Sequence, residues 1–209
     1  MPVLLGKRYY EPYYETSDIL DYLDNLMAID REEKGLLFQA ARDGKGDGYI
    51  LEIGCDRGQS LCALGLGSKI ADREKVFSID IDRGRQDDYY HRDIRLTNGA
   101  NRWKTVVENL EMCGLQNWVY LIGADSMEAY KFLDVSLRIL YVDGNHDYPH
   151  TVSDIQNYSQ FLIPGGSIFV HDYWDAEPET VRAVDECIRD SGNYREFHVT
   201  KMLAMAQKV

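Results

Sequence analysis

Residues 50–60 read Ile-Leu-Glu-Ile-Gly-Cys-Asp-Arg-Gly-Gln-Ser, and the stretch has three parts. Residues 49–53 form a short apolar run of the kind a buried parallel strand needs. Gly54 and Gly58 make a turn that lets a ligand approach the backbone, and the segment after them reads as a helix whose first N–H groups are free. Working outward, the same alternation recurs. Apolar runs near 76–81, 118–122, 138–142 and 167–171 each end in a polar or glycine-rich turn. Helical patterns fill the gaps: 101–113, with Trp103, Val106, Val107 and Leu110 on one face and Gly114 as a stop; 151–162, ahead of Pro164-Gly165-Gly166; and about 177–191, with Pro178 in its first turn. Strand alternating with helix predicts right-handed crossovers and a doubly wound parallel sheet. The last two extended segments, 194–199 and 202–207, are separated by too few residues for a parallel crossover, so they must pair as an antiparallel hairpin. The expected fold is α/β, a seven-stranded, mostly parallel sheet with a C-terminal antiparallel hairpin.

The 209 residues suit one domain, with 1–45 as a helical or lid segment and 46–209 as the core. The N-terminus is Tyr-rich (Tyr9, Tyr10, Tyr13, Tyr14), a helical pattern opens at Ser17 or Asp18, and a second spans 31–42 before the glycine-dense turn 43–48. With 23 Lys+Arg against 35 Asp+Glu the formal charge is −12, which repels a polyphosphate, so nucleic acid is not an expected partner. No apolar run is long enough for a membrane helix and the start lacks a signal-peptide core, so a cytosolic location is expected. Cys55, Cys62, Cys113 and Cys187 form no C-x-x-C pair and read as core thiols. The apolar stripe of 18–42 could cover the sheet or pack a second copy in a homo-oligomer.

In such sheets ligands bind beyond the carboxyl ends of the strands. At the first tip, Glu52, Gly54 and Gly58 spell E-x-G-x-x-x-G, which departs from the G-x-G-x-x-G of dinucleotide folds and sets an acid where a pyrophosphate loop wants none. A cofactor bearing a positive amino group fits better. Asp80, Ile81 and Asp82 at the second tip offer a carboxylate to ribose hydroxyls, and Gly123-Ala124-Asp125-Ser126 at the third offers either a helix cap or an adenine contact.

These motifs, with ILYVDGNHDY, LIPGGSIFVHDYW and FHVTKMLAMAQK, resemble class I S-adenosylmethionine-dependent methyltransferases, and within them the small O-methyltransferases similar to the macrocin and sugar group, over residues 30–209. The resemblance implies a Rossmann-like fold and S-adenosylmethionine as cofactor. It implies that Glu52, Gly54 and Gly58 shape the methionine pocket with Ser60 at the start of its helix, that Asp80 holds the ribose, that Asp125 and Ser126 lie beside adenine, and that Cys55, Asp56, Ile81 and Asp143 also belong to the cofactor site.

Asp143 and Asp172 end strands expected to be neighbours about 5 Å apart. They would give a hard cation such as Mg²⁺ its oxygen ligands, and His146, three residues past Asp143, would take a substrate hydroxyl's proton. Related catechol-type enzymes follow the second Asp with Asn, whereas Tyr173 stands here, leaving Asn145, Asp147 or His171 as third ligand. The plain alternative makes the two acids loop caps and His146 a turn residue. The expected activity is methyl transfer to a hydroxyl of a small molecule, a sugar or a glycosylated or phenolic metabolite. The rival of another class is a non-catalytic S-adenosylmethionine-binding protein of the same fold. A nicotinamide enzyme is disfavoured by the glycine turn. Gly144-Asn145-His146-Asp147 also spells a metallophosphoesterase loop, but the five histidines supply no D-x-H partner. His91, His150 and His198 read as structural or solvated. The polar segment 83–99 reads as a loop that, with the N-terminus, could cover the substrate.

Overall fold

A computed structural model describes residues 29–81 and 100–209. The helix expected from Ser17 or Asp18, the Tyr-rich N-terminus, Asp82 and the segment 83–99 lie outside the described residues. In chain order the elements are α1 (Arg31–Asp43), β1 (Tyr49–Ile53), α2 (Gln59–Ile70), β2 (Val76–Asp80), α3 (Ala100–Met112), β3 (Val119–Gly123), α4 (Ser126–Ala129), β4 (Leu137–Val142), α5 (Tyr148–Ser159), β5 (Leu162–Val170), α6 (Pro178–Val184), β6 (Tyr194–Thr200) and β7 (Leu203–Lys208). A 3₁₀ turn follows α4 and a π-helical turn, Asp185–Arg189, follows α6.

The strands form one sheet in the order β3-β2-β1-β4-β5-β7-β6. β1 to β5 are parallel, and β7 lies antiparallel between β5 and β6, which is the C-terminal hairpin that the short connection required. Because β1 and β4 neighbour each other while the chain winds outward from β1 in both directions, their tips border the crevice at which such sheets bind ligands. Two apolar layers hold the sheet. Leu37, Phe38, Leu61, Leu64, Val106 and Leu110 from α1, α2 and α3 cover one face, and Ile155, Tyr158, Val184 and Ile188 from α5, α6 and the π turn cover the other.

The boundary between α5 and β5 differs from its reading. Leu162 begins β5 rather than ending a helix, for α5 stops at Ser159. Leu137 pairs with Leu162 and Ile139 with Ser167, so residues 163–166 bulge out of the ladder. Pro164 has no N–H to give a ladder and Gly165 takes φ 78°, so the turn-like sequence is accommodated inside the strand as a bulge. The buried Arg138 joins layers: its guanidinium meets Glu74 and donates to the Ala40 and Ala41 carbonyls at the end of α1.

Candidate active site

Gly54 and Gly58 shape the first tip. Both have φ near +80°, where a side chain is strained, and a Cβ on Gly54 would stand 2.1 Å from the Asp143 carbonyl oxygen. The backbone from β1 therefore runs directly against the start of the loop after β4. Gly58 is the residue before α2, and the Cys62 N–H bonds back to its carbonyl. The Cys55 N–H donates to Asp80 Oδ2 at 3.0 Å, tying the acid at the β2 tip to the glycine turn, and the Ala124 N–H reaches the Asp80 carbonyl. Ile81 is half exposed beside it, and Asp56 is exposed in the left-handed region at φ 42°. The three tips that carry Gly54, Asp80 and Ala124 are thus stitched together at the carboxyl edge.

Glu52, assigned to the methionine pocket, and Ser60, at the start of the helix beside it, are both buried. The Ser60 hydroxyl donates to Glu52 Oε1, and the Ser78 hydroxyl donates to Oε2 at 2.7 Å. Burial pushes the Glu52 carboxyl up to about 8, against the pull of the two hydroxyls and with help from Asp143 and Asp80 nearby. Its oxygens are occupied by serines, so it shapes the floor beneath the glycine turn. Asp125 caps α4, accepting from the Met127 N–H at 2.9 Å, and Ser126 begins that helix.

At the neighbouring tips Asp143, His146 and Asp172 come together, their ligand atoms within 4.8 Å of one another. His146 Nε2 stands 3.1 Å from Asp172 Oδ2 and 3.5 Å from Asp143 Oδ1, and its Nδ1 faces Glu177 Oε1 at 3.8 Å. Asp172 reaches this position with φ 57°, a strained conformation for a non-glycine residue that turns its carboxylate toward Asp143. Thr180 on α6 donates to the His146 carbonyl at 3.1 Å, fixing the loop from the other side. Beneath it, Asp154 on α5 is buried and its pKa is pushed up to about 6, chiefly by burial.

Among the residues offered as third ligand, Asn145 and Asp147 bond each other and His150 at the start of α5, where Asp147 is the cap. His171 is buried behind the acids, with Nδ1 3.5 Å from Asp143 Oδ1 and 3.4 Å from Asp172 Oδ1, and Nε2 3.3 Å from Glu33 Oε2. Burial opposes its charge, but Asp143, Asp172 and Glu33 outweigh burial and push its pKa up to about 12. An imidazolium donates and does not ligate. The same pairing holds Asp143 well below the usual carboxylate range against the opposing effect of burial, with His146 adding to the pull. The Tyr141 hydroxyl donates to Asp143 Oδ2 at 3.0 Å, whereas the Tyr173 hydroxyl turns to Asp185. His146, read from sequence as the base, is the less buried of the two histidines that lie against these acids.

Glu33 and Glu177 were not picked out by motif. The capping pair Asp30-x-x-Glu33 was the only signal available for Glu33, and it speaks of a helix start, not of a site. A groove of about 470 Å³ lined by Asp175, Pro178, Arg182 and Arg189 shares no residue with these tips.

The methyltransferase-domain family profile matches residues 51–173, more than half of the chain, from β1 through the Asp172 turn. The chain belongs to the methyltransferase-domain family. The methyltransferase shares its fold with solved O-methyltransferases. It is similar to the O-methyltransferase NovP (18% identity, TM-score 0.70, 87% of this chain and 81% of that one). It is similar to the calicheamicin methyltransferase CalS11 (14%, TM-score 0.63, 99% and 90%). The O-methyltransferase TomG of Streptomyces achromogenes, solved with S-adenosylmethionine, matches at 15% identity and TM-score 0.65 over 94% of this chain and 91% of that one. No curated protein matches the methyltransferase in sequence. Among its described residues no helix is long and apolar enough to cross a membrane.

Proposed function

We propose that the protein transfers the methyl group of S-adenosylmethionine to a hydroxyl of a small acceptor, a sugar or a glycosylated or phenolic metabolite, with a divalent cation held by Asp143, His146 and Asp172. The observation that carries this reading is the convergence of those three side chains on the strand tip that touches the glycine turn. Donor atoms about 2.1 Å from a shared ion stand roughly 3 Å apart, and the separations of 3.1 and 3.5 Å fit that arrangement. An imidazole among the donors favours first-row transition ions such as Mn²⁺ over the Mg²⁺ expected from the two aspartates.

A cation there would stabilise the negative charge that develops on the acceptor oxygen. The chain's own contribution is alignment. Gly54, Gly58 and Asp80 seat the cofactor, and Asp143, whose N–H bonds the Ile53 carbonyl just before the glycine turn, sets the acceptor's direction relative to it. His146 Nε2 has one lone pair, so it either joins the acids in holding the cation or takes the acceptor's proton in its absence.

Titration of S-adenosylhomocysteine into the protein, with EDTA and with Mn²⁺, followed by methyl release over a panel of hydroxylated acceptors, tests the reading. Micromolar binding and cation-dependent turnover are the expected results. Binding without turnover on any acceptor would favour the non-catalytic alternative, and no binding would refute the cofactor assignment.

A further inference from the structure

We propose that Glu33, on the helix that precedes the sheet, is a positioning residue of the cation site, acting through His171 on Asp143 and Asp172. The inference rests on the cation reading above and extends it to α1. Glu33 is fully buried, and both its oxygens are fixed by backbone: Oε1 accepts from the Met202 N–H at 2.8 Å and Oε2 from the Asp30 N–H at 3.3 Å. Oε2 also faces His171 Nε2 at 3.3 Å, across 138 residues of sequence. The other ring nitrogen faces both site carboxylates, at 3.5 and 3.4 Å.

The ring is therefore held at both ends, and its orientation is set by a carboxylate that cannot itself turn. Asp172 Oδ1 lies against this ring while its Oδ2 lies toward His146, so the ring decides which oxygen of Asp172 points into the site. A capping box alone does not require this placement, since capping carboxylates are satisfied at a helix surface where water supplies what the backbone does not. Partners that orient ligating side chains typically change metal affinity by 10- to 100-fold when removed. Three elements distant in sequence, α1, the β5 tip and the β6–β7 turn, meet at this one carboxylate.

The test is isothermal titration of Mn²⁺, and separately of S-adenosylhomocysteine, into wild type, Glu33→Gln and Asp30→Ala. Glu33→Gln keeps the volume but cannot accept from Met202, Asp30 and His171 together, and its Mn²⁺ affinity is expected to fall by roughly 10-fold or more with cofactor affinity changed less than about twofold. Asp30→Ala breaks the helix cap without touching His171, and is expected to lower the thermal midpoint while leaving Mn²⁺ affinity intact. Unchanged Mn²⁺ affinity in Glu33→Gln overturns the proposal, as does an equal loss in Asp30→Ala, which would assign the effect to the cap. Should Glu33→Gln be too unstable to purify, His171→Asn cuts the same link and must show the same selective loss. Wild type that binds S-adenosylhomocysteine but no Mn²⁺ would remove the cation reading and this inference together, leaving the cofactor site standing.

Discussion

Replacing Glu52 by Gln should make the ligand-free protein more stable at neutral pH, and by an amount that grows with pH. Glu52 is a fully buried acid whose pKa is raised from 4.5 to about 8, so the folded state binds a proton that the unfolded chain releases between those values. Its contribution to stability is fully present below pH 4.5 and is lost as pH rises toward 8. Linkage gives a penalty of about 1.4 kcal/mol at pH 5.5 and about 4 kcal/mol at pH 7.5. The difference between wild type and Glu52→Gln should therefore shift by about 2.5 kcal/mol between the two. Gln retains the shape, and the Ser60 and Ser78 hydroxyls can rotate to meet an amide. Urea denaturation of both proteins at pH 5.5 and 7.5 measures it, and subtracting the mutant from wild type cancels the titration of Asp143 and His171. A difference that does not change with pH would mean that Glu52 is ionised throughout in the folded state, and the account of the buried floor would fail.

Asp80→Ala should weaken S-adenosylhomocysteine binding by about 10-fold or more, because the carboxylate that the Cys55 N–H holds is lost; an unchanged dissociation constant would contradict the ribose role. Gly54→Ala should destabilise by more than about 2 kcal/mol and weaken cofactor binding, since its Cβ would overlap the Asp143 carbonyl and its φ of 80° is strained for alanine; normal urea midpoints would refute the close approach. Arg138→Met should lower stability by about 3–5 kcal/mol by taking the buried partner from Glu74 and a donor from the Ala41 carbonyl, read as a shift in denaturation midpoint with cofactor affinity retained in the folded fraction. Asp143→Asn should abolish Mn²⁺ binding while S-adenosylhomocysteine still binds, and retention of Mn²⁺ affinity would exclude Asp143 as a ligand.

The strands could be read because each is a local apolar run followed by its turn, and a buried parallel strand needs nothing else of its sequence. Gly54, Asp80, Asp125, Asp143 and Asp172 stood out for the same reason: they follow those runs, and strand ends are where the sheet opens to ligands. The start of β5 was misread because Pro164-Gly165-Gly166 spells a turn, and only pairing with β4 shows that the turn is a bulge within a strand.

Side-chain partnership was of another kind. His146 was recognised as chemically able to hold a proton, but which atoms it faces depends on the strained turn at Asp172 and on Thr180 reaching over from α6. Glu33 and His171 are 138 residues apart, and neither residue's neighbours in sequence mark the contact. The amino-acid order thus determined the alternation of elements, the hairpin and the positions of the tip residues, since these follow from local hydrophobicity and from connection length. Only the tertiary structure decided which acid is buried and that two histidines, one of them buried, lie against the two aspartates, because burial and charge pairing arise between segments that meet only when the sheet closes.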